Sequence, residues 1–240
     1  MNMSDTANPA NVASGLVPAS EFDARLKRTD EARWLASRYA PEADRERLVA
    51  VYLLNQELQR ALGASEPMIG KIRIQWWRET LEGISAGTPR RHDLSLELAR
   101  VFAGRADLVT MAHDLVDRFD DVIDDHLHAG GHQPGADHAA RHLGVEAAAT
   151  RLAGRTLKAD ATQSELDALG ACGEALTAII ADLPDATQRQ TEARKRALAL
   201  PEPLWPAIAH IAVVRKAGTG EYGPLLKRWR ILQAVLTRRL

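Results

Sequence analysis

A single all-α domain is predicted by three observations. Ala, Leu, Arg and Glu dominate from Glu21 to the C-terminus, apolar residues recur at helical spacing, and strand-like alternation is nearly absent. No repeat of fixed period and no Pro/Ser-rich linker interrupts the body, so residues 21–240 read as one domain. Residues 1–20, rich in Asn, Pro, Ser and Gly, read as a disordered tail.

The elements follow in order. A first helix is predicted over Phe22–Tyr39, stopped at Ala40-Pro41 because the residue before proline avoids the helical region. A second, 42–62, carries an apolar face of Leu48, Val51, Tyr52, Leu54 and Leu58 and ends at Gly63. Ser65-Glu66-Pro67 opens a third, bearing Ile69, Ile72, Trp76 and Leu81 and closed by Gly83 and Gly87-Thr88-Pro89. The short connection makes the helices at 42–62 and 67–83 antiparallel neighbours. Further helices are predicted at 93–103 and 107–126. The stretch HLHAGGHQPGADH then breaks the chain, before helices at 136–154, 163–183, 185–199, 203–215 and 222–239.

Bulk properties narrow the function. Apolar residues make up 45% of the 240, enough for a core, and the net charge of −1 gives no field that would gather nucleic acid. Cys172, the one cysteine, lies in an Ala/Leu-rich helical pattern and reads as a buried structural thiol rather than a nucleophile. The first 20 residues lack a basic region followed by an apolar run, and no run approaches the roughly 20 apolar residues of a membrane span. A cytoplasmic body is expected, free or held at a membrane surface. Neither a P-loop nor a GxSxG elbow is present, which removes support for nucleotide binding and serine hydrolysis.

Three stretches could carry chemistry. Six aspartates fall within HDLVDRFDDVIDD, and Asp117/Asp121, Asp120/Asp124 and Asp121/Asp125 are i,i+4 pairs on a helix. Such pairs can share a hard cation such as magnesium; a solvated acidic face relieved by Arg118 and lysines is the other reading. His138 and His142 have a zinc-compatible i,i+4 spacing but lack a third ligand, so a loop histidine cluster is the plainer account. The C-terminal stretch sets Leu225, Leu226, Trp229, Leu232 and Leu236 among arginines and lysines. It reads as a core-packed helix with a basic outer face, or as one that docks on an anionic membrane or an acidic partner.

Residues Tyr52 to Pro89 resemble the squalene/phytoene synthase family. Trp77-Arg78-Glu79 through Leu81, followed by Gly87-Thr88-Pro89, matches that family's tryptophan-centred helix and its close. Asp121-Val122-Ile123-Asp124-Asp125 and LTAIIADLPDA (176–186) are similar to two later family segments. The resemblance implies an isoprenoid-synthase-like helical bundle around a central cavity. In active members two aspartate-rich motifs face each other there and hold magnesium ions that help a diphosphate leave. Carried over by position, the first motif falls on Gln59 and Gly63. In the second, Asp182 remains, while Ala178 and Ala181 replace an Asn and an Arg and the last acidic pair is Asp185-Ala186. Glu57 is a carboxylate in the wrong register.

Asn55-x-Glu57-Leu58, Ser65-Glu66-Pro67 and Arg73 through Arg78 resemble one branch in particular, that of the mitochondrial complex I assembly factor and its bacterial relatives. The branch implies a non-catalytic helper, peripheral to the inner membrane, that binds an isoprenoid or quinone-like lipid and contacts a membrane-complex subunit. Tyr52, Asn55, Arg73, Trp77 and Arg78 are then the ligand-binding candidates, with Trp76, Trp77 and Arg78 holding the fold and lining the pocket. The alternative implied is an active magnesium-dependent prenyltransferase on farnesyl or geranylgeranyl diphosphate. In that case Asp121, Asp125 and Asp182 are catalytic and Asp117, Asp121 and Asp125 hold the metal. In either case Asp121 and Asp125 should be partly exposed toward the cavity mouth, with Arg73 and Arg78 as partners.

Overall fold

The computed structural model describes residues 17–128, 136–216 and 218–240, and the side chains at 126, 128 and 136–140 lie outside that description. The described residues are helical, with no strand among them. The N-terminal tail lies outside them up to residue 16, and helix begins at Ala19, slightly before the expected boundary.

The single helix expected over 22–39 is two. Helix α1, Ala19–Thr29, buries Phe22 and Leu26 at i,i+4 and carries Lys27 and Arg28 in its last turn. Asp30 then leaves the helical region, with φ −151°, and caps α2, Glu31–Ser37, by accepting the Arg33 backbone N–H at 2.9 Å. An aspartate followed by Glu31 is a helix-start signal inside what the periodicity treats as one run.

Helix α3, Glu42–Leu62, is the centre of the bundle. Every residue from Leu48 to Asn55 is buried, so the helix is apolar on all sides and must be covered on all sides. Each fully buried Leu or Val there contributes roughly 1.5–3 kcal/mol relative to exposure. Helix α4, Pro67–Ser85, starts on Pro67, which needs no N–H partner in the first turn. At Gly70 it approaches α3 so closely that a Cβ would lie 2.7 Å from the Ala61 carbonyl oxygen. Arg73 donates to the Arg60 carbonyl at 3.2 Å. Rising numbers on α4 thus meet falling numbers on α3, the antiparallel pairing that the short connection predicts.

Helices α5, Asp93–Val101, and α6, Ala106–His128, close the first half. Leu108, Ala112, Leu115, Phe119, Val122 and Ile123 form the buried face of α6 and leave its aspartates outward. Helices α7, Ala136–Leu157, and α8, Gln163–Ile180, form the second half with α9, Ala186–Ala197. Thr162 and Glu165 cap α8 reciprocally. A helix expected over 203–215 is instead two 3₁₀ segments, Glu202–Ala207 and Ala209–Val213, because Pro206 has no N–H for an α-helical ladder. Helix α10, Pro224–Thr237, packs on α2 and the second of these segments through Ile231 and Ala234.

Small residues decide how near α7 and α8 come. A Cβ on Gly173 would fall 2.3 Å from the Glu146 carbonyl oxygen, a backbone atom that cannot swing aside. Gly173→Ala is therefore expected to lower stability by about 1–2 kcal/mol. Overpacking costs roughly 1–3 kcal/mol, partly offset by the better helix propensity of alanine. Urea denaturation checks this, and a stabilised variant would show that the two helices separate freely.

Candidate functional site

A cavity of about 490 Å³ lies between α3, α7 and α8. Gln59 of α3, His142, Val145 and Glu146 of α7, and Thr177, Ile180, Ala181 and Leu183 at the end of α8 line it. Gln59 and Ala181, far apart in sequence, thus share one cavity. These are the positions onto which the resemblance maps the two aspartate-rich motifs. Ala178, the other mapped alanine, is buried beside Thr177, and Gly63 ends α3 one turn beyond Gln59.

Beneath this cavity is a buried polar network that sequence reasoning missed. Arg33 of α2 pairs with Glu146 at 2.6 Å and with Asp30 at 2.8 Å, and its side chain is only 10% exposed. Burial alone would weaken the Arg33 charge, but Glu146 and Asp30 more than offset that and keep the guanidinium protonated. Burial likewise works against the Asp30 carboxylate, and Arg33, through its charge and hydrogen bonds, still holds it below the ordinary value. Tyr52 and Asn55 stand two turns and one turn before Gln59 on the same α3 face. Both are buried, and neither the Tyr52 hydroxyl nor the Asn55 amide has a hydrogen-bond partner among the described residues. The Arg33 guanidinium lies 5.6 Å from the Tyr52 ring centre, and His210 meets that ring edge-on at 6.4 Å. The one signal in the sequence is Glu146, a carboxylate inside an Ala/Val run, which implies a buried cation partner.

The lining does not fit a magnesium–diphosphate clamp. Magnesium is held by carboxylates together with waters and phosphate oxygens. Gln59 and Ala181 supply no carboxylate, and Glu146 is committed to Arg33.

The remaining candidates are placed elsewhere. Arg78 bridges α4 to α6 through Asp117 at 2.7 Å and Asp120 at 3.1 Å, while Lys71 takes Asp120 at 2.5 Å and Asp124 at 2.9 Å. Asp125 pairs with Arg141 at 3.0 Å, and Asp121 is exposed. The α6 acids are thus matched by Arg78, Lys71 and Arg141, whereas Arg73, expected among their partners, turns to the Arg60 carbonyl. Asp117, Asp121 and Asp125 do not line the cavity, and among the described residues no three His, Cys, Asp or Glu converge to hold a metal. Asp182 leaves α8 in the left-handed region, with φ 54°, and pairs with Lys216 at 2.5 Å. His142 lines the cavity, while the His138 side chain lies outside the described residues.

Trp76 and Trp77 occupy another pocket of about 410 Å³, with Glu57, Arg60, Arg73 and His92. Trp76, Trp77 and His92 meet edge-to-face with ring centres 4.8–5.8 Å apart, and Arg90 lies over Trp76. Glu57 is bound there by Arg25 and, at 2.6 Å, by Arg60. The tryptophans therefore brace α4 against α5 and do not line the cavity that holds Gln59. Cys172 is fully buried, and burial pushes its thiol up to about 12, in keeping with a structural role.

A family model described as Squalene/phytoene synthase matches residues 26–127, from within α1 to the end of α6. No curated protein and no solved structure matches the chain. The matched span, which carries the Trp76-Trp77 helix, the Gln59 position and the acidic stretch of α6, is similar to the squalene/phytoene synthase family over somewhat less than half of the chain.

Proposed function

We propose that this chain is a non-catalytic protein of the squalene/phytoene synthase type that holds an isoprenoid or quinone-like lipid and assists a membrane respiratory complex. The supporting observation is the lining of the α3–α7–α8 cavity. Gln59 stands at a mapped aspartate and Ala181 at a mapped arginine, and the carboxylate among the described lining residues, Glu146, is tied to Arg33. Removing one electrostatic contact of this kind commonly costs about 10²–10³ in rate. Binding a hydrocarbon tail requires only apolar lining, worth roughly 25 cal/mol per Å² buried. Val145, Ile180 and Leu183 supply that lining, while Thr177 and Gln59 offer polar contacts to a headgroup. The assembly role rests on the resemblance of the Asn55–Leu58, Ser65–Pro67 and Arg73–Arg78 stretches to the assembly-factor branch.

The test is incubation with farnesyl or geranylgeranyl diphosphate and magnesium, with products sought by mass spectrometry. A parallel thermal melt uses farnesol or a short-chain quinone. No C30 or C40 product is expected. At about 100 times its Kd, a ligand adds roughly 2.7 kcal/mol and raises the melting temperature by about 5–10 °C. Ala181→Phe, which fills the cavity, should abolish that rise. A C30 or C40 product, lost in Asp121→Ala and Asp182→Ala, would overturn the reading in favour of an active prenyltransferase.

A further inference from the structure

Helix α10 is apolar on two opposite sides. One side, Ile231 and Ala234, is buried against the protein. The other repeats Leu225, Trp229, Leu232 and Leu236 at i, i+4, i+7 and i+11, a single stripe along the helix. Leu225 is 81% exposed, Trp229 58% and Leu236 73%. Isolated exposed leucines need no account, but a continuous stripe on one helix marks a surface that is covered in use.

Charge identifies what covers it. Helix α10 and the residues after it contain Lys227, Arg228, Arg230, Arg238 and Arg239 and no carboxylate side chain. Arg228 and Arg239 are exposed and make no ion pair with any described residue. Beside the start of the helix lies a cleft of about 660 Å³ lined by Lys27, Arg28, Arg215 and Lys216 together with Asp30, Glu31 and Glu221, so the unmatched charge is that of Arg228 and Arg239. An apolar stripe flanked by arginines matches a bilayer that presents acyl chains below a layer of anionic phosphates. A second copy of this chain would bring the same arginines together. Fourteen residues rise about 21 Å, short of the roughly 30 Å of a hydrocarbon core, so the contact is in the plane of the surface. None of the described helices is long and apolar enough to cross.

We propose that α10 is a membrane-docking helix that sinks Leu225, Trp229 and Leu236 into an anionic bilayer, with Arg228 and Arg239 on the lipid phosphates. The proposal is independent of what the α3–α7–α8 cavity holds, because no α10 residue lines that cavity.

Co-sedimentation of the full chain with vesicles tests it, comparing pure phosphatidylcholine with mixtures containing about a third phosphatidylglycerol. Binding should be at least tenfold tighter to the anionic vesicles and should fall with salt. A Lys or Arg near an anionic leaflet is worth roughly fivefold, so Arg228→Glu with Arg239→Glu should weaken binding by at least tenfold. Leu225→Ser with Leu236→Ser should do the same by removing the inserted stripe. All four positions are exposed, so unchanged circular dichroism and melting should accompany both losses. Brominated lipid should quench the wild type more than Trp229→Phe. Equal binding to neutral and anionic vesicles, no binding, or a stable dimer in sedimentation that Leu225→Ser with Leu236→Ser dissolves would each overturn the proposal.

Discussion

Arg33→Met is expected to destabilise the protein by about 3–5 kcal/mol, the usual cost of removing one member of a buried ion-paired group. Arg33 sits between two carboxylates, Glu146 at 2.6 Å and Asp30 at 2.8 Å, and the three side chains are only 10–14% exposed. Methionine fills much of the same volume, so the loss comes mainly from two stranded acids rather than from a void. For a domain of this size the melting temperature should drop by on the order of 10 °C. Glu146→Gln should cost less, because Asp30 still neutralises Arg33 and the amide still accepts one of its hydrogen bonds. Combining the two substitutions should recover part of the loss, since one stranded carboxylate is then neutral. Urea denaturation of the two single variants and the double variant measures this coupling. Additive losses, or a near-neutral Arg33→Met, would show that the three groups do not act as one unit. Arg33 also carries the link from α2 to the α7 wall of the cavity, so Arg33→Met should weaken the ligand-induced thermal shift as well.

How much of this was legible in the sequence depends on what each feature rests upon. Helices α3 to α9 rest on local signals: the Gly63 stop of α3, the Pro67 start of α4 and the 3.6-residue stripes all survive in the fold. The failures are local signals outvoted by a pattern. Asp30 reads as one polar residue in an amphipathic run until its side chain is seen capping the Arg33 N–H. Pro206 reads as a tolerable interruption, but two 3₁₀ turns replace the helix around it. The site was less legible. That Gln59 and Ala181 face one cavity came from resemblance, because no periodicity links α3 to the end of α8. The aspartates of α6 drew attention by number, yet Lys71, Arg78 and Arg141 balance them on outward faces. The network that organises the interior is built from Arg33 and its helix cap Asp30, Glu146 of α7 and His210 of the second 3₁₀ segment, three elements far apart in sequence, and charge spacing along one helix cannot reveal it.

Stability is expected to fall as the pH drops below about 6.5, well before the carboxylates titrate, and His210 is the cause. His210 is fully enclosed, and neither ring nitrogen has a hydrogen-bond partner among the described residues. Burial pushes its imidazolium down to about 3, the Arg33 charge adds to the shift, and Asp30 opposes it. The groups facing it are Arg33, Asp30 and the Tyr52 ring, of which only Asp30 favours a proton on the imidazole. The native pKa is thus lowered from an ordinary value of 6.5. Between the two values the unfolded chain binds a proton that the folded chain does not. The contribution is complete above 6.5 and is lost as the pH falls through the window, at about 1.4 kcal/mol per pH unit. Roughly 2 kcal/mol should disappear between pH 6.5 and 5. Asp30, held below its ordinary 3.8, adds to acid loss only lower down, so the upper window isolates the histidine. His210→Leu removes the titrating group and an unpaired buried polar pair, so its stability near pH 7.5 should change little and its slope between 6.5 and 5 should flatten. Urea midpoints at pH 7.5, 6.5, 5.5 and 4.5 for both proteins read the two slopes independently of any packing offset. Parallel slopes would mean that another group carries the acid sensitivity, and that the interior around Arg33 accepts a charged imidazole.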